Sequence, residues 1–189
     1  MKQEFADIIA HMRRLGCGLP DRLAKGTQVK SLPWFPHPLP PQMVEWWAVA
    51  DGPEWQPADV AEDVWLRPGF YPLSLEEAAE DYADGEGRFA DSWLPIMTDG
   101  GGDFLVVDCA DETCPVLLSA GGDETERIFD SLKSMLITLK ECFARGIYFI
   151  RPDGHFDSND DAEALLASQL NPHSSYWTVI SGSTARFAR

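Results

Sequence analysis

Between Trp93 and Cys109 the chain reads WLPIMTDGGGDFLVVDC, with three glycines set between Asp99 and Asp103 and apolar runs on either side. A glycine-rich loop flanked by acids has three uses: its amides can cradle a phosphate, its carboxylates can hold a hard cation, or it can reverse the chain. A phosphate loop of the G-x-x-x-x-G-K-[ST] type needs a lysine after the glycines and a helix beyond. Here an aspartate and the apolar run FLVVD follow, and two carboxylates would repel the ligand. A cation site is closer to the residues present, since Asp99, Asp103, Asp108 and Asp111 all offer oxygen ligands. A tight turn selects aspartate and glycine on backbone grounds alone, and that reading predicts a hairpin with an exposed acidic tip and no metal.

Other chemistry finds less support. DSNDDAEALLAS resembles a calcium loop starting at Asp157, but Ala162 stands at the glycine position and Ser168 where the bidentate glutamate belongs. Helix capping by Ser158 and Asp161 is the better expectation. There is no G-x-S-x-G elbow, and His11, His37, His155 and His173 sit in no pattern with a serine or cysteine nucleophile. Cys17, Cys109, Cys114 and Cys142 form no C-x-x-C pair and read as reduced structural thiols, with Cys109 and Cys114 on neighbouring strands across a turn. No catalytic set and no cofactor are expected.

The elements that must position these residues follow from periodicity. Phe5, Ile8, Ile9, Met12 and Leu15 form a helical stripe ended by Gly16 and Gly18. SLPWFPHPLPPQ carries five prolines between Pro33 and Pro41, so it is neither helix nor central strand; Trp34 and Phe35 should pin it to the core. PQMVEWWAVADG predicts a helix ending at Asp51–Gly52, and DVWLRPGFYPL reads as extended chain. SLEEAAEDYADG opens on a Ser74–Glu77 capping box. Strands are expected over Trp93–Met97, Phe104–Asp108 and Val116–Ser119, joined by short turns and therefore antiparallel. Ile128, Phe129, Leu132, Met135, Leu136, Leu139, Cys142 and Phe143 read as the buried face of one helix ended by Gly146. A strand, a turn and a last helix follow, and the polar stretch from Asn171 is either docked or loose.

Composition narrows the function. The 189 residues are 44% hydrophobic and 24% charged, which fits one folded domain with an appendage. Fifteen lysines and arginines against 31 acids give a net charge of −16, the wrong sign for nucleic acid or an anionic membrane surface. Such a charge attracts a basic partner, or serves only solubility. The first sixteen residues carry acids where a signal peptide needs apolar ones, and no run approaches the roughly 18 residues of a membrane span, which predicts a cytoplasmic protein.

The order of these pieces resembles the SUKH superfamily, which holds bacterial immunity proteins of polymorphic toxin systems and fungal regulators of cell-wall synthesis. The helix of LPPQMVEWWAVADG and the W-x-P-I strand running into DGGGDFL carry the resemblance, which spans roughly Glu4 to Gly146. It implies an α+β domain over residues 1–146, a twisted and mostly antiparallel sheet flanked by helices, with residues 147–189 a partly docked C-terminal extension. It further implies a non-enzymatic protein that binds a protein partner, such as a cognate toxin; the acidity of the chain fits a basic nuclease as that toxin. Acids in turns, namely Asp51, Asp99, Asp103, Asp123 and Glu124, are the candidate contact residues; as plain solvated turns they would have no partner. A regulatory module of the same fold and a metal-dependent hydrolase are the alternatives.

Overall fold

A computed structural model describes residues 1–85, 88–121 and 125–180. Helix α1 (Lys2–Leu15) buries Phe5, Ile8, Ile9 and Met12 of the predicted stripe, while Leu15, in its last turn, is exposed. It closes where the amides of Gly16 and Cys17 turn back to the carbonyls of Arg13 and Met12. The proline-rich segment is irregular, as its missing N–H groups require. Phe35 is buried and Trp34 packs at a tilt against Tyr82, ring centres 5.5 Å apart, so the aromatics do anchor it. Helix α2 (Pro41–Val49) starts on its proline and buries Met43, Trp46 and Trp47.

The sheet is an antiparallel meander in chain order: β1 (Tyr71–Pro72), β2 (Trp93–Thr98), β3 (Phe104–Asp108), β4 (Val116–Ser119) and β5 (Glu126–Phe129). Helix α3 (Leu75–Asp84) separates the first two strands and packs on β2. Strands β2 and β3 are buried on both faces, so they read as continuous apolar runs without alternation. Pro95 sits within β2 because the β2–β3 register shifts between Pro95 and Met97, a bulge that tolerates the absent amide. Together with the helices this gives the expected α+β fold.

Three expectations move. The stretch from Asp63, read as extended chain, begins inside a short 3-10 helix over Ala61–Val64, and only Tyr71–Pro72 within it pairs as strand. Ile128 and Phe129 lie in β5, not at the start of a helix; their apolar pair fits either period, and pairing with β4 decides. Ser131, in extended backbone, then caps α4 (Leu132–Ala144) by accepting the Ser134 amide on its Oγ at 2.9 Å. Past Gly146, β6 (Tyr148–Ile150) pairs with β7 (Phe156–Ser158), and α5 (Asp160–Leu170) lies against α4. Its cap is Asn159, whose Oδ1 accepts the Ala162 amide at 3.1 Å; Ser158 ends β7 instead.

The polar stretch after Asn171 is docked as far as it is described. Helix α6 (Tyr176–Ile180) buries Trp177 against Phe129. Ser174 Oγ and the Trp177 indole N–H donate to the main-chain carbonyls of Arg127 and Ile128 in β5, the last strand of the sheet.

Candidate functional site

The two Asp–Gly turns singled out by sequence serve different ends. At Asp51 one carboxylate oxygen accepts the Leu75 amide at 2.7 Å, in the first turn of α3, and the other accepts the Thr27 hydroxyl. Gly52 lies so close to this helix start that a Cβ would stand 2.4 Å from the Ser74 nitrogen, and its φ of +68° is one a side chain resists. The pair thus fastens the end of α2 to the start of α3. Both Asp51 oxygens are engaged inside the chain.

At the β2–β3 hairpin, Oδ1 of Asp99 accepts the amides of Gly101, Gly102 and Asp103, all within 2.9 Å. These are the N–H groups that a phosphate loop would offer to its ligand. The chain's own carboxylate fills that cradle. Gly100, at φ +76°, turns beneath it, and Thr98 Oγ1 donates to the Asp103 carbonyl at 3.0 Å. Arg88 donates to the Gly102 carbonyl and lies 4.7 Å from the centre of the Phe104 ring, holding the tip to the sheet. Asp103 Oδ1 accepts the Gly121 amide at 3.2 Å, which brings the start of the β4–β5 connection beside the hairpin. Asp123 and Glu124 lie outside the described residues.

An aromatic and acidic face adjoins this hairpin. Trp55 is 42% exposed. Its ring meets Tyr71 edge-on at 5.0 Å, and its indole N–H donates to Glu77 Oε1 at 2.9 Å. Glu77 also closes the predicted capping box with Ser74. Burial raises the Tyr71 pKa, and Glu77, Asp81 and Asp99 raise it further. Asp81 is raised likewise, by burial and then by the acids around it on α3. Like charges are therefore crowded on one side of the molecule.

A cleft of about 390 Å³ opens between the sheet and the C-terminal segment, with Asp99 and Asp103 on its lining. Leu105 and Leu118, paired directly across β3 and β4, line it with Ile128 of β5. Arg67 also lines it, 2.9 Å from Glu163 Oε1 on α5 and 5.7 Å from the ring centres of Phe70 and Trp177. The Tyr148 hydroxyl donates to the same Glu163 oxygen at 2.7 Å. Burial alone would lower the Arg67 pKa, but Glu163 and then Tyr148 outweigh it and hold it above the usual arginine value. Burial, then Glu163, raises Tyr148, so its proton stays on the hydroxyl.

Sequence reasoning missed this triad, whose members lie up to 96 residues apart. The available signal was a charge embedded in an apolar run: Arg67 within WLRPGFY and Glu163 on the buried side of α5.

Among the described residues, no group of three or more His, Cys, Asp or Glu side chains is placed to hold a metal ion. All four cysteines are free. Burial pushes the Cys17 thiol up to about 11, those of Cys109 and Cys142 up to about 12, and Cys114 upward too. Thiols held protonated in this way are poor nucleophiles. No helix among the described residues is long and apolar enough to cross a membrane.

No curated protein matches the chain. A family model does, from Trp34 in the proline-rich segment to Thr138 in α4, and so takes in the Asp51–Gly52 fastening, α3 and the whole five-stranded sheet. That match, over residues 34–138 and more than half of the chain, places it in the SMI1 / KNR4 family (SUKH-1), to which this protein belongs.

Proposed function

We propose that the protein is a cytosolic, non-enzymatic immunity protein that binds and neutralises a cognate toxin domain. Family membership, the observation that carries this reading, supports an immunity or regulatory role exercised through protein partners. The immunity role is favoured by charge: a net −16 draws a basic toxin, such as a nuclease, by long-range attraction. The proposed contact face centres on Asp99 and Asp103 and extends over Trp55 and the acids of α3. A half-exposed tryptophan held by a hydrogen bond to the Glu77 carboxylate has the composition of an interface anchor. Asp123 and Glu124, which lie outside the described residues, are proposed as contact residues on their sequence alone. A metal-dependent hydrolase finds no ligand set among the described residues to stand on.

The test is a pull-down from the native organism with tagged protein, washed at low and then high salt. Recovery of a basic toxin domain that salt releases is the expected result. Recovery of housekeeping proteins alone, across several growth conditions, overturns the immunity role in favour of the regulatory one.

A further inference from the structure

The cleft beside the hairpin has a lining that selects its occupant. Five carboxylates (Asp99, Asp103, Asp157, Asp160 and Glu163) face one guanidinium, that of Arg67. Glu163 is matched by Arg67, and Asp157 lies 3.5 Å from Arg151. That leaves Asp99, whose Oδ1 accepts three amides, and Asp103 and Asp160, each with one oxygen in a hydrogen bond. Their Oδ2 atoms take no hydrogen bond among the described residues. The wall between these acids is aromatic, built from Trp65, Phe70, Tyr176 and Trp177. Aromatic faces beside carboxylates, around an apolar floor, suit a cation carried on a hydrocarbon stem. The chain already uses this chemistry once, holding the Arg67 guanidinium beside Phe70 and Trp177 and against Glu163.

A second, independent feature points to a peptide. The indole N–H of Trp65, a residue that lines this cleft and also a second pocket beside Gly16 and His155, is buried and has no hydrogen-bond partner among the described residues. A buried donor without an acceptor is costly, and a main-chain carbonyl would satisfy it. The volume, about 390 Å³, lies within the roughly 300–1,000 Å³ of small-ligand clefts and exceeds what one side chain fills.

We propose that this cleft receives an arginine or lysine side chain, together with the adjoining main chain, from an extended segment of the protein partner. The proposal rests on the reading that the protein works by binding another protein. In it the cation reaches Asp99, Asp103 and Asp160, its stem lies over Leu105 and Leu118, and a flanking carbonyl accepts from Trp65.

The probe is the peptide acetyl-Gly-Leu-Arg-Leu-Gly-amide, titrated into the ¹⁵N-labelled full chain, with its citrulline counterpart and butylguanidinium as controls. The indole signals of Trp65 and Trp177 are assigned with Trp65→Phe and Trp177→Phe. The arginine peptide is expected to shift both signals saturably, and citrulline to bind at least about fivefold more weakly. Asp103→Asn with Asp160→Asn, which preserves shape and removes charge, is expected to weaken the arginine peptide by about the same factor. No saturable shift, or equal binding of citrulline, overturns the cleft as a cation site. Butylguanidinium binding as tightly as the peptide overturns the peptide segment in favour of a free small cation.

The pull-down separates this inference from the function on which it rests. A toxin domain recovered equally by wild type and the double variant overturns the cleft and leaves the immunity reading standing. Peptide binding without any toxin recovery, across growth conditions, supports the cleft and overturns the immunity reading.

Discussion

Asp51–Gly52 and Asp99–Gly100 are the same dipeptide in two settings, and the chain uses them in opposite ways. In the first, the glycine's missing side chain lets two backbones touch, and the carboxylate joins segments distant in sequence. In the second, the carboxylate gathers amides from its own loop and keeps an oxygen beside the cleft. The first turn is an internal fastening and the second a shaped, acidic tip. A motif's composition sets what a turn can do, and the packing around it sets what it does do.

The largest expected contrast is between the glycines. Gly52→Ala should cost about 3 kcal/mol, because the new Cβ meets backbone and the φ is unfavourable. Gly100→Ala should cost only about 1 kcal/mol, since the nearest atom is a Tyr71 ring carbon at 3.6 Å. Urea unfolding of both variants measures this, and equal losses would break the distinction. The aspartates come next. Asp51→Ala, which orphans the Leu75 amide and the Thr27 hydroxyl, should cost about 2 kcal/mol, and Asp99→Ala about 1 kcal/mol, because water reaches the hairpin amides.

Partner capture sharpens the contrast from the functional side. Asp99→Asn with Asp103→Asn should slow association about tenfold at low salt, with the deficit shrinking as salt rises, whereas Asp51→Asn should leave it unchanged. Surface plasmon resonance against the captured partner at two ionic strengths reads this. The smallest effect concerns Asp81. Its folded pKa lies above the ordinary value, so the folded state holds the proton longer than the unfolded chain does. Stability from this group is present at acid pH and is lost as pH rises through the raised value. Asp81→Asn should therefore stabilise at pH 7 by under about 1 kcal/mol, and the gain should vanish below the carboxylate range. A gain that persists at acid pH would assign the effect to something other than charge crowding.

Legibility in the sequence followed the range of the forces involved. The α1 stripe, the Ser74–Glu77 box and the antiparallel order of β2, β3 and β4 depend on neighbours within a few residues, and each was readable. Ile128 and Phe129 were misplaced because two apolar neighbours satisfy strand and helix alike, and only β4 distinguishes them. The same limit hid the cleft. Arg67 and Glu163 acquire meaning from a partner on another element, and nothing local announces the pairing. The hairpin acids were legible as a turn, but their position on the lining of a cavity was not.

The contacts that Ser174 and Trp177 make with β5 bear on how the protein behaves in a crowded cell. A sheet of strongly apolar strands with an open end is a template on which other chains can add, strand by strand. Here the C-terminal residues occupy main-chain carbonyls of the final strand, while the opposite end is the two-residue β1, too short to seed much pairing. Residues that follow the family-matched region thus guard part of that strand against the addition of another. A chain shortened before Ser174 would lose that guard while keeping every residue of the family match.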